Sequence, residues 1–193
     1  MILKNLYFKI LELSSKPKSE WLLAIISFTE SSIFPIPPDF LLLPMTLAKP
    51  LKWIRLALIT TIFSVLGGIL GYFIGLFLWD IIGEKIINIY NLKENYNHFK
   101  YNYNSNGAII VFLAGFTPIP YKLITIASGG MQLNLLTFIL ASLISRGLRF
   151  FIIAGIIRIF GSTAKKYIDK YFNLFTILLG IIIIVVIMIW LYL

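Results

Sequence analysis

Two long apolar stretches, Ile54–Trp79 and Leu133–Phe160, do most to limit what this chain can fold into. Each exceeds the roughly 20 residues that a helix needs to cross the hydrocarbon of a bilayer. A third stretch, Asn173–Leu193, is almost purely aliphatic. Hydrophobic residues make up 59% of the 193 and charged residues 13%, which is more apolar surface than one water-soluble core can bury. We therefore predict an all-α integral membrane protein.

Four shorter apolar segments lie beside these spans and are interrupted by prolines. Trp21–Phe34 and Phe40–Ala48 surround the first break, and Gly107–Phe116 and Leu123–Met131 surround the second. None is long enough to cross the bilayer, and proline ends a helix by removing a backbone donor. Each pair is therefore predicted to form a re-entrant helical hairpin, which enters and leaves on one side. Five prolines make the breaks: Pro35, Pro37, Pro38, Pro118 and Pro120.

The order of these segments predicts one membrane domain containing an inverted repeat. A hairpin followed by a span occurs over 20–79 and again over 107–160, with a polar loop or surface helix over 80–106 between them. Lysines and arginines before the Ile54 span place the N-terminus in the cytoplasm, so the two repeats are oppositely oriented, as in transporters with a site near the midplane. Residues 1–19 are predicted as an interfacial helix or a cytoplasmic lead-in helix, and 161–193 as a basic loop and C-terminal transmembrane helix.

Three glycines recur every four residues in the first long span, at Gly67, Gly71 and Gly75. Residues four apart lie on one face of a helix. Without side chains on that face, another helix can approach closely. The spacing therefore predicts that this span packs tightly against a neighbouring helix.

Five of the charged residues within or beside the apolar segments are candidates for a functional site: Glu30, Asp39, Lys122, Arg146 and Arg149. A charge at the centre of a membrane helix costs roughly 2.5–3.5 kcal/mol, so these side chains must face an interior, a cavity or one another. The three bases could hold a lipid phosphate, which arginine grips bidentately. The two acids could take up a proton, because a low dielectric disfavours the charged carboxylate. Alternatively, the arginines pair with the acids to tie the repeats together, and Asp39 caps a helix.

Several classes of site are unsupported by the sequence. The chain has no cysteine and a single histidine, His98, so we predict no metal site and no cofactor. We find no Gly-rich phosphate loop, no HExxH motif and no serine–histidine–aspartate set, so we do not predict an enzyme. The net charge of +9 lies beside apolar spans, where it would meet anionic head groups rather than nucleic acid. The predicted partners are membrane lipids and protons, and the sequence leaves self-association open.

Five motifs occur in a specific order between residues 20 and 160: Glu30 upstream of Pro35-Ile-Pro-Pro-Asp39, Gly67-Gly68-x-x-Gly71-Tyr72-x-x-Gly75, Phe116-Thr-Pro-Ile-Pro-Tyr-Lys122, Gly129-Gly130-Met131, and Ser145-Arg146-Gly-Leu-Arg149-Phe150. Together they resemble the DedA (SNARE-associated, VTT-domain) family and, within it, the YqaA-like branch. The resemblance implies opposed re-entrant hairpins, an inverted repeat and lipid translocation. In bacterial members it implies proton-coupled recycling of undecaprenyl phosphate or flipping of phospholipids, with Glu30 and Asp39 as the acidic pair.

The chain departs from the family's usual second motif, which reads like F-x-R-x-x-P-x-x-R. Gly115, Phe116 and Thr117 supply no base at the first arginine position, and Lys122 would be the last base, one residue out of register. Arg146 and Arg149 would substitute, as in the YqaA-like branch. The departure weakens the case for undecaprenyl phosphate more than the case for lipid transport.

The leading hypothesis is a proton-coupled lipid translocase, flippase-like or scramblase-like, that moves a polyprenyl phosphate or a phospholipid. It would be a multi-pass protein of a bacterial inner (plasma) membrane. One alternative is a proton-coupled antiporter for small cations or drugs, which would need Glu30 but not the bases. Another is a non-transporting membrane scaffold in which the charges are structural. A membrane phosphatase would need a nucleophile that we cannot locate.

Overall fold

The computed structural model describes residues 19–33, 37–89, 93–117, 120–161 and 163, and every element in these ranges is helical. In chain order the helices are α1 Ser19–Ser32, α2 Asp39–Ala48, α3 Trp53–Leu78, α4 Glu84–Ile89, α5 Lys93–Phe116, α6 Tyr121–Gly130 and α7 Leu135–Gly161. A 3-10 turn, Pro50–Lys52, precedes α3, and a π-helical turn, Trp79–Gly83, follows it. Of the predicted helix at 1–19, all but Ser19 lies outside the described residues, as does the predicted span Asn173–Leu193.

Helix length distinguishes the candidate membrane spans from the shorter helices. α3 has 26 residues and α7 has 27, and at 1.5 Å per residue each is about 40 Å long, enough to cross a hydrocarbon core of about 30 Å. α1 has 14 residues, and α2 and α6 have 10 each, so they reach only about 15–21 Å. The prediction of two full-length apolar helices is therefore confirmed in the described ranges. Three of the four helices beside the breaks are short, as predicted, whereas the fourth, α5, has 24 residues.

The two faces of α3 are the reverse of those of a helix in a water-soluble protein. Its exposed face carries large apolar side chains: Leu58, Ile62, Leu66, Leu70, Phe73 and Phe77. Its buried face is rich in small and hydroxyl-bearing residues: Thr60, Thr61, Ser64, Gly67, Gly68, Gly71 and Gly75. Membrane helices show this pattern, because lipid solvates the apolar side while small residues allow close helix packing. The surface of α3 therefore suits lipid rather than water.

The glycine-rich face of α3 is in backbone contact with two short helices. A Cβ added at Gly67 would lie 2.0 Å from the carbonyl oxygen of Phe28 in α1. One added at Gly75 would lie 1.9 Å from that of Ile126 in α6. These approaches leave no room for a side chain, so the prediction from the glycine spacing is confirmed. α3 is the helix against which both short helices are positioned.

The first helix pair, α1 and α2, has both of its outer ends at the Trp53 end of α3. Near the start of α1, Glu20 forms ion pairs with Lys52 at 3.6 Å and Arg55 at 2.7 Å. α2 ends at Ala48, and only four residues separate it from Trp53, where α3 begins. The break between α1 and α2 is therefore directed along α3, away from this end.

The second helix pair, α5 and α6, has its outer ends at the opposite end of α3. In the first turn of α5, the Tyr96 ring stacks on Trp79 with centroids 4.1 Å apart. The Tyr96 hydroxyl donates to the carbonyl of Gly130, the last residue of α6, at 3.2 Å. The two pairs thus approach from opposite ends of α3, with their breaks toward each other.

The predicted polar segment 80–106 is more helical than its composition suggested. α5 runs from Lys93 through the predicted boundary at 106/107, so the short apolar piece Gly107–Phe116 is the second half of a 24-residue helix. Polar side chains in its first half have tertiary partners: the Tyr103 hydroxyl contacts Ser128 at 2.9 Å, and the Asn104 amide donates to Met131 at 3.1 Å. These contacts stabilise a helix whose asparagines favour turns when taken alone.

Candidate functional site

The two breaks meet beside the buried face of α3. The Thr125 hydroxyl of α6 donates to the carbonyl of Ser31 in α1 at 3.3 Å, and the Lys122 ammonium donates to that of Ile33 at 3.5 Å. Pro38 immediately precedes α2, and Pro120 immediately precedes α6. Pro37 also lies in the described part of the first break, whereas Pro35 and Pro118 lie outside the described residues.

Arg146, in the middle of α7, is at the centre of a buried polar cluster. Its terminal nitrogen lies 2.8 Å from the Glu30 carboxylate, and its Nε donates to the Ser64 hydroxyl at 2.7 Å. Ser31 donates to the same Glu30 oxygen at 3.0 Å and contacts Ser64 at 2.7 Å. The Arg146 side chain is 2% exposed and that of Glu30 is 14% exposed, so water contributes little to their solvation. A charge pair at this depth is stable only because each partner satisfies the other.

Aromatic rings enclose the Arg146 guanidinium on two sides. Its central carbon lies 4.7 Å from the centroid of the Tyr121 ring and 4.7 Å from that of Phe150. Each ring face attracts the cation by about 0.5–2 kcal/mol. The Tyr121 hydroxyl in turn donates to the Ser142 hydroxyl of α7. The guanidinium is therefore held in one orientation, with its donors toward α1 and α3.

Arg149, one helical turn further along α7, contacts both breaks. One terminal nitrogen lies 2.5 Å from the Asp39 carboxylate at the start of α2, and the other donates to the carbonyl of Thr117, just after α5, at 2.8 Å. The side chains of Arg149 and Asp39 are 19% and 20% exposed. This second pair is thus more open to solvent than the first, and it joins the two helix pairs directly.

One carboxylate oxygen at this site lacks a hydrogen-bond partner. Asp39 Oδ1 is buried, and no donor within the described ranges reaches it. Buried polar atoms are usually satisfied, and an exception often marks a functional group. The oxygen lies on the carboxylate that also binds Arg149, so the unsatisfied atom belongs to the ion pair itself.

The structure brings together four of the five charged residues predicted for the site. Glu30 with Arg146 and Asp39 with Arg149 form the pairs that the structural alternative anticipated. Asp39 does not cap α2, however, because Pro38 occupies the N-cap position and no side-chain cap bond forms. Lys122 lies at the edge of the site and forms no ion pair with any described residue. The described residues also hold no cluster able to bind a metal ion.

Three uncharged residues of the site were not predicted from the sequence: Ser31, Ser64 and Tyr121. Ser64 has a recognisable signal, because it lies three residues before Gly67 and so shares the glycine face of its helix. Ser31 follows Glu30 directly. The role of Tyr121 depends on the position of Arg146, 25 residues later, and no local pattern reveals that contact.

Replacing Arg149 by lysine is expected to lower stability by about 1–2 kcal/mol. The lysine ammonium keeps the charge but lacks the planar set of donors of the guanidinium. It therefore cannot bond the Asp39 carboxylate and the Thr117 carbonyl with the same geometry. Thermal unfolding of the purified protein in detergent would measure the change. Arg158→Lys, an exposed position on the same helix, is the matched control and should change stability by less than about 0.5 kcal/mol. An equal loss in both variants would contradict the bridging role.

Comparison with known proteins identifies the family. The model of the VTT domain matches residues 36–159, which is more than half of the chain. The chain belongs to the VTT-domain (DedA) family. The predicted family is thereby confirmed, and the matched region of this VTT-domain protein contains Asp39, Lys122, Arg146 and Arg149. Glu30 lies six residues before its start.

Two bacterial proteins are similar to this VTT-domain protein. An uncharacterized protein of Haemophilus influenzae is 37% identical over 153 residues, covering 79% of each chain. An uncharacterized protein of Histophilus somni is 32% identical over 152 residues, again covering 79% of each chain. No solved structure matches. Because the VTT-domain family is a family of membrane proteins linked to transport, α3 and α7 are read as helices of a membrane protein.

Proposed function

We propose that this VTT-domain protein is a proton-coupled translocase for membrane lipids with an anionic phosphate head group. The observation that carries the proposal is the junction of the two breaks, where two arginine–carboxylate pairs lie inside an apolar helical assembly. Charges at such a position are costly and are retained chiefly where they bind ions, protons or substrates. Arginine suits phosphate because its planar fork matches two phosphate oxygens.

The proposed placement in the membrane follows from helix length and direction. α3 and α7 cross the bilayer, and the two helix pairs enter as re-entrant hairpins from opposite faces, which makes the fold an inverted repeat. The N-terminus is cytoplasmic, and the membrane is a bacterial inner (plasma) membrane. Support comes from the outer ends of the two pairs, which lie at opposite ends of α3. The junction of the breaks would then lie near the midplane, where transporter sites of this type are found.

Competition for a guanidinium would couple the lipid to the proton. In the resting pair, Asp39 and Arg149 neutralise each other. When Asp39 accepts a proton it becomes neutral, and the guanidinium, which stays charged, is free to bind a phosphate oxygen. Release of the phosphate and of the proton then restores the pair. The proton and the lipid would therefore move in the same direction.

Differences in exposure suggest an order of events. Arg149 and Asp39 are each about one-fifth exposed, whereas Arg146 is almost fully buried. Lys122, at the edge of the junction and without an ion-pair partner among the described residues, would attract the head group first. Arg149 would bind the head group next, and the Arg146–Glu30 pair, which is the most buried, would be the last to change its contacts. The acyl chains would stay in the bilayer throughout.

Lipid movement in proteoliposomes tests the proposal. Fluorescent phospholipid would be followed by dithionite accessibility, and polyprenyl phosphate by its appearance in the outer leaflet, each with and without a pH gradient. We expect Glu30→Gln and Asp39→Asn to abolish the gradient dependence and to slow movement about tenfold, because neither amide titrates.

Glu20→Gln is the matched control, since Glu20 lies on the same helix as Glu30 but pairs with Lys52 and Arg55 at its outer end. It should transport as the unmodified protein does. Normal gradient-driven movement in a folded Glu30→Gln protein would refute the proton role. Movement that never depends on the gradient would indicate a passive scramblase.

A non-transporting scaffold is the second candidate, and one observation favours it. Arg146 already has a carboxylate, a hydroxyl and two aromatic rings as partners, as expected of a structural ion pair. A scaffold would show no lipid movement above that of protein-free liposomes. A cation antiporter would instead show proton flux that depends on an added cation and on Glu30, and not on Lys122.

A further inference from the structure

A polar cleft of about 310 Å³ lies at the Trp79 end of α3, apart from the junction of the breaks. Its lining comes from the turn after α3, from Ile87 of α4, from the first two turns of α5 and from the turn before α7. The polar and aromatic residues of the lining are Trp79, Lys93, Tyr96, Asn97, Lys100 and Gln132. Its volume lies at the small end of the range for ligand sites. The cleft therefore has room for a small polar group.

The charge of the cleft is positive. Two ammonium groups, Lys93 and Lys100, line it, and none of the described side chains in its lining is a carboxylate. Lys93 forms no ion pair within the described part of the chain. It is also the first residue of the 24-residue helix α5, whose N-terminal end adds a partial positive charge. Glu94, the next residue, is exposed and outside the lining. An anion is the complementary ligand.

The aromatic part of the lining is rigid. Trp79 and Tyr96 are stacked with an interplanar angle of 12°, and the Tyr96 hydroxyl is fixed by its bond to the Gly130 carbonyl. The Lys100 ammonium lies 5.9 Å from the centroid of the Tyr96 ring. Tryptophan, tyrosine and lysine together at the end of a membrane helix are typical of the head-group layer. The composition of the cleft therefore suits the head-group layer, where lipid phosphates are concentrated.

Gln132 completes the cleft from the opposite side. Its backbone has φ of 53°, a left-handed conformation that costs a residue with a side chain about 1–3 kcal/mol. In this conformation its amide oxygen accepts a hydrogen bond from Lys100 at 2.5 Å. A phosphate oxygen would form a stronger bond with the same ammonium, because both partners would be charged. Gln132 therefore holds the Lys100 ammonium in place at the cleft.

We propose that this cleft is a second anion site, which binds a phosphate group between Lys93 and Lys100 at the Trp79 end of the molecule. The phosphate belongs either to an anionic lipid head group or to a free phosphate ion. Asn97 supplies an uncharged donor, and the Trp79–Tyr96 stack forms the wall. The site is independent of lipid transport: it would bind its ligand whether or not the arginine pairs move one.

Lysine footprinting of the full-length protein tests the site locally. The protein in phosphatidylcholine nanodiscs would be acetylated with and without inorganic phosphate, and separately in nanodiscs containing phosphatidylglycerol. Mass spectrometry would give a rate for each lysine. We expect one of the two anions to slow acetylation of Lys93 and Lys100 about fivefold near saturation. An ammonium that is bound to an anion is less available to the acetylating reagent. Lys85, exposed and outside the lining, should react at an unchanged rate.

Variants then separate this site from the arginine pairs. Lys93→Gln, at an exposed position, should fold normally and weaken the protection of Lys100 about tenfold, since one charge-assisted bond is lost. Lys85→Gln, with the same charge change, should leave protection intact. Protection by phosphatidylglycerol alone would identify a lipid ligand, and protection by inorganic phosphate a soluble one. Equal acetylation of Lys93 and Lys100 with and without both anions would overturn the proposal.

Discussion

Arg146→Met is expected to destabilise the protein by about 3–5 kcal/mol, because it leaves the Glu30 carboxylate buried without its cation. The Ser31 hydroxyl alone would remain to bond that carboxylate. Equilibrium unfolding in mixed micelles would measure the loss, provided the variant is expressed at a temperature where it remains folded. A loss below about 1 kcal/mol would mean that the pair contributes little to the fold.

A double variant separates the structural role of this pair from its role in transport. Arg146→Met combined with Glu30→Leu removes both charges, and replacing a buried pair by apolar residues of similar size is often neutral or stabilising. Ser31 and Ser64 would still hydrogen bond with each other. We expect stability to recover to within about 1 kcal/mol of the unmodified protein, while lipid movement stays at least about tenfold slower and independent of the pH gradient. If the double variant transports normally, the charges of Glu30 and Arg146 have only a structural role.

Gly129→Ala is expected to destabilise the protein by about 3 kcal/mol or more, the upper part of the range for overpacking. Its Cβ would lie 1.8 Å from the carbonyl oxygen of Tyr72, so α6 would have to move away from α3. That shift would also strain the backbone contact between Gly75 and Ile126. Thermal unfolding in detergent and proteolytic susceptibility would report the change.

The adjacent glycine provides the control. A Cβ at Gly130 would lie 3.7 Å from the Gly75 carbonyl oxygen, an ordinary van der Waals contact. Gly130 does not have a positive φ, so alanine is compatible with its backbone. Gly130→Ala should therefore alter stability by less than about 1 kcal/mol. Similar losses at both positions would contradict direct backbone packing as the cause.

The sequence predicted the helices well because length and composition determine them almost locally. Observed bounds such as Trp53–Leu78 and Leu135–Gly161 lie within two residues of the apolar runs that predicted them. The first half of α5 was harder to predict, because its asparagines and tyrosines favour a loop unless their side chains find partners. Those partners, Ser128 and Met131, lie 25 and 27 residues later, in α6 and just after it.

The candidate site was predictable in its charges but not in its connections. Glu30, Asp39, Arg146 and Arg149 stand out because charge is rare in apolar segments. Their pairing depends on how α7 packs against α1 and α2, across more than 100 residues of sequence. The serines and Tyr121 are ordinary residues in a membrane helix, and only the geometry distinguishes them. The local sequence patterns carry no information on this long-range packing, so the pairing could not be predicted from them.

The bridging position of Arg149 makes the two helix pairs mechanically interdependent. One guanidinium holds an acceptor from the start of α2 and another from the end of α5. If either pair withdraws toward its own end of α3, it loses that side chain, which stays attached to the other pair. In the proposed translocase, this shared residue would favour alternation: one helix pair could separate from Arg149 while the other stays bound to it, so the two faces would not open at the same time.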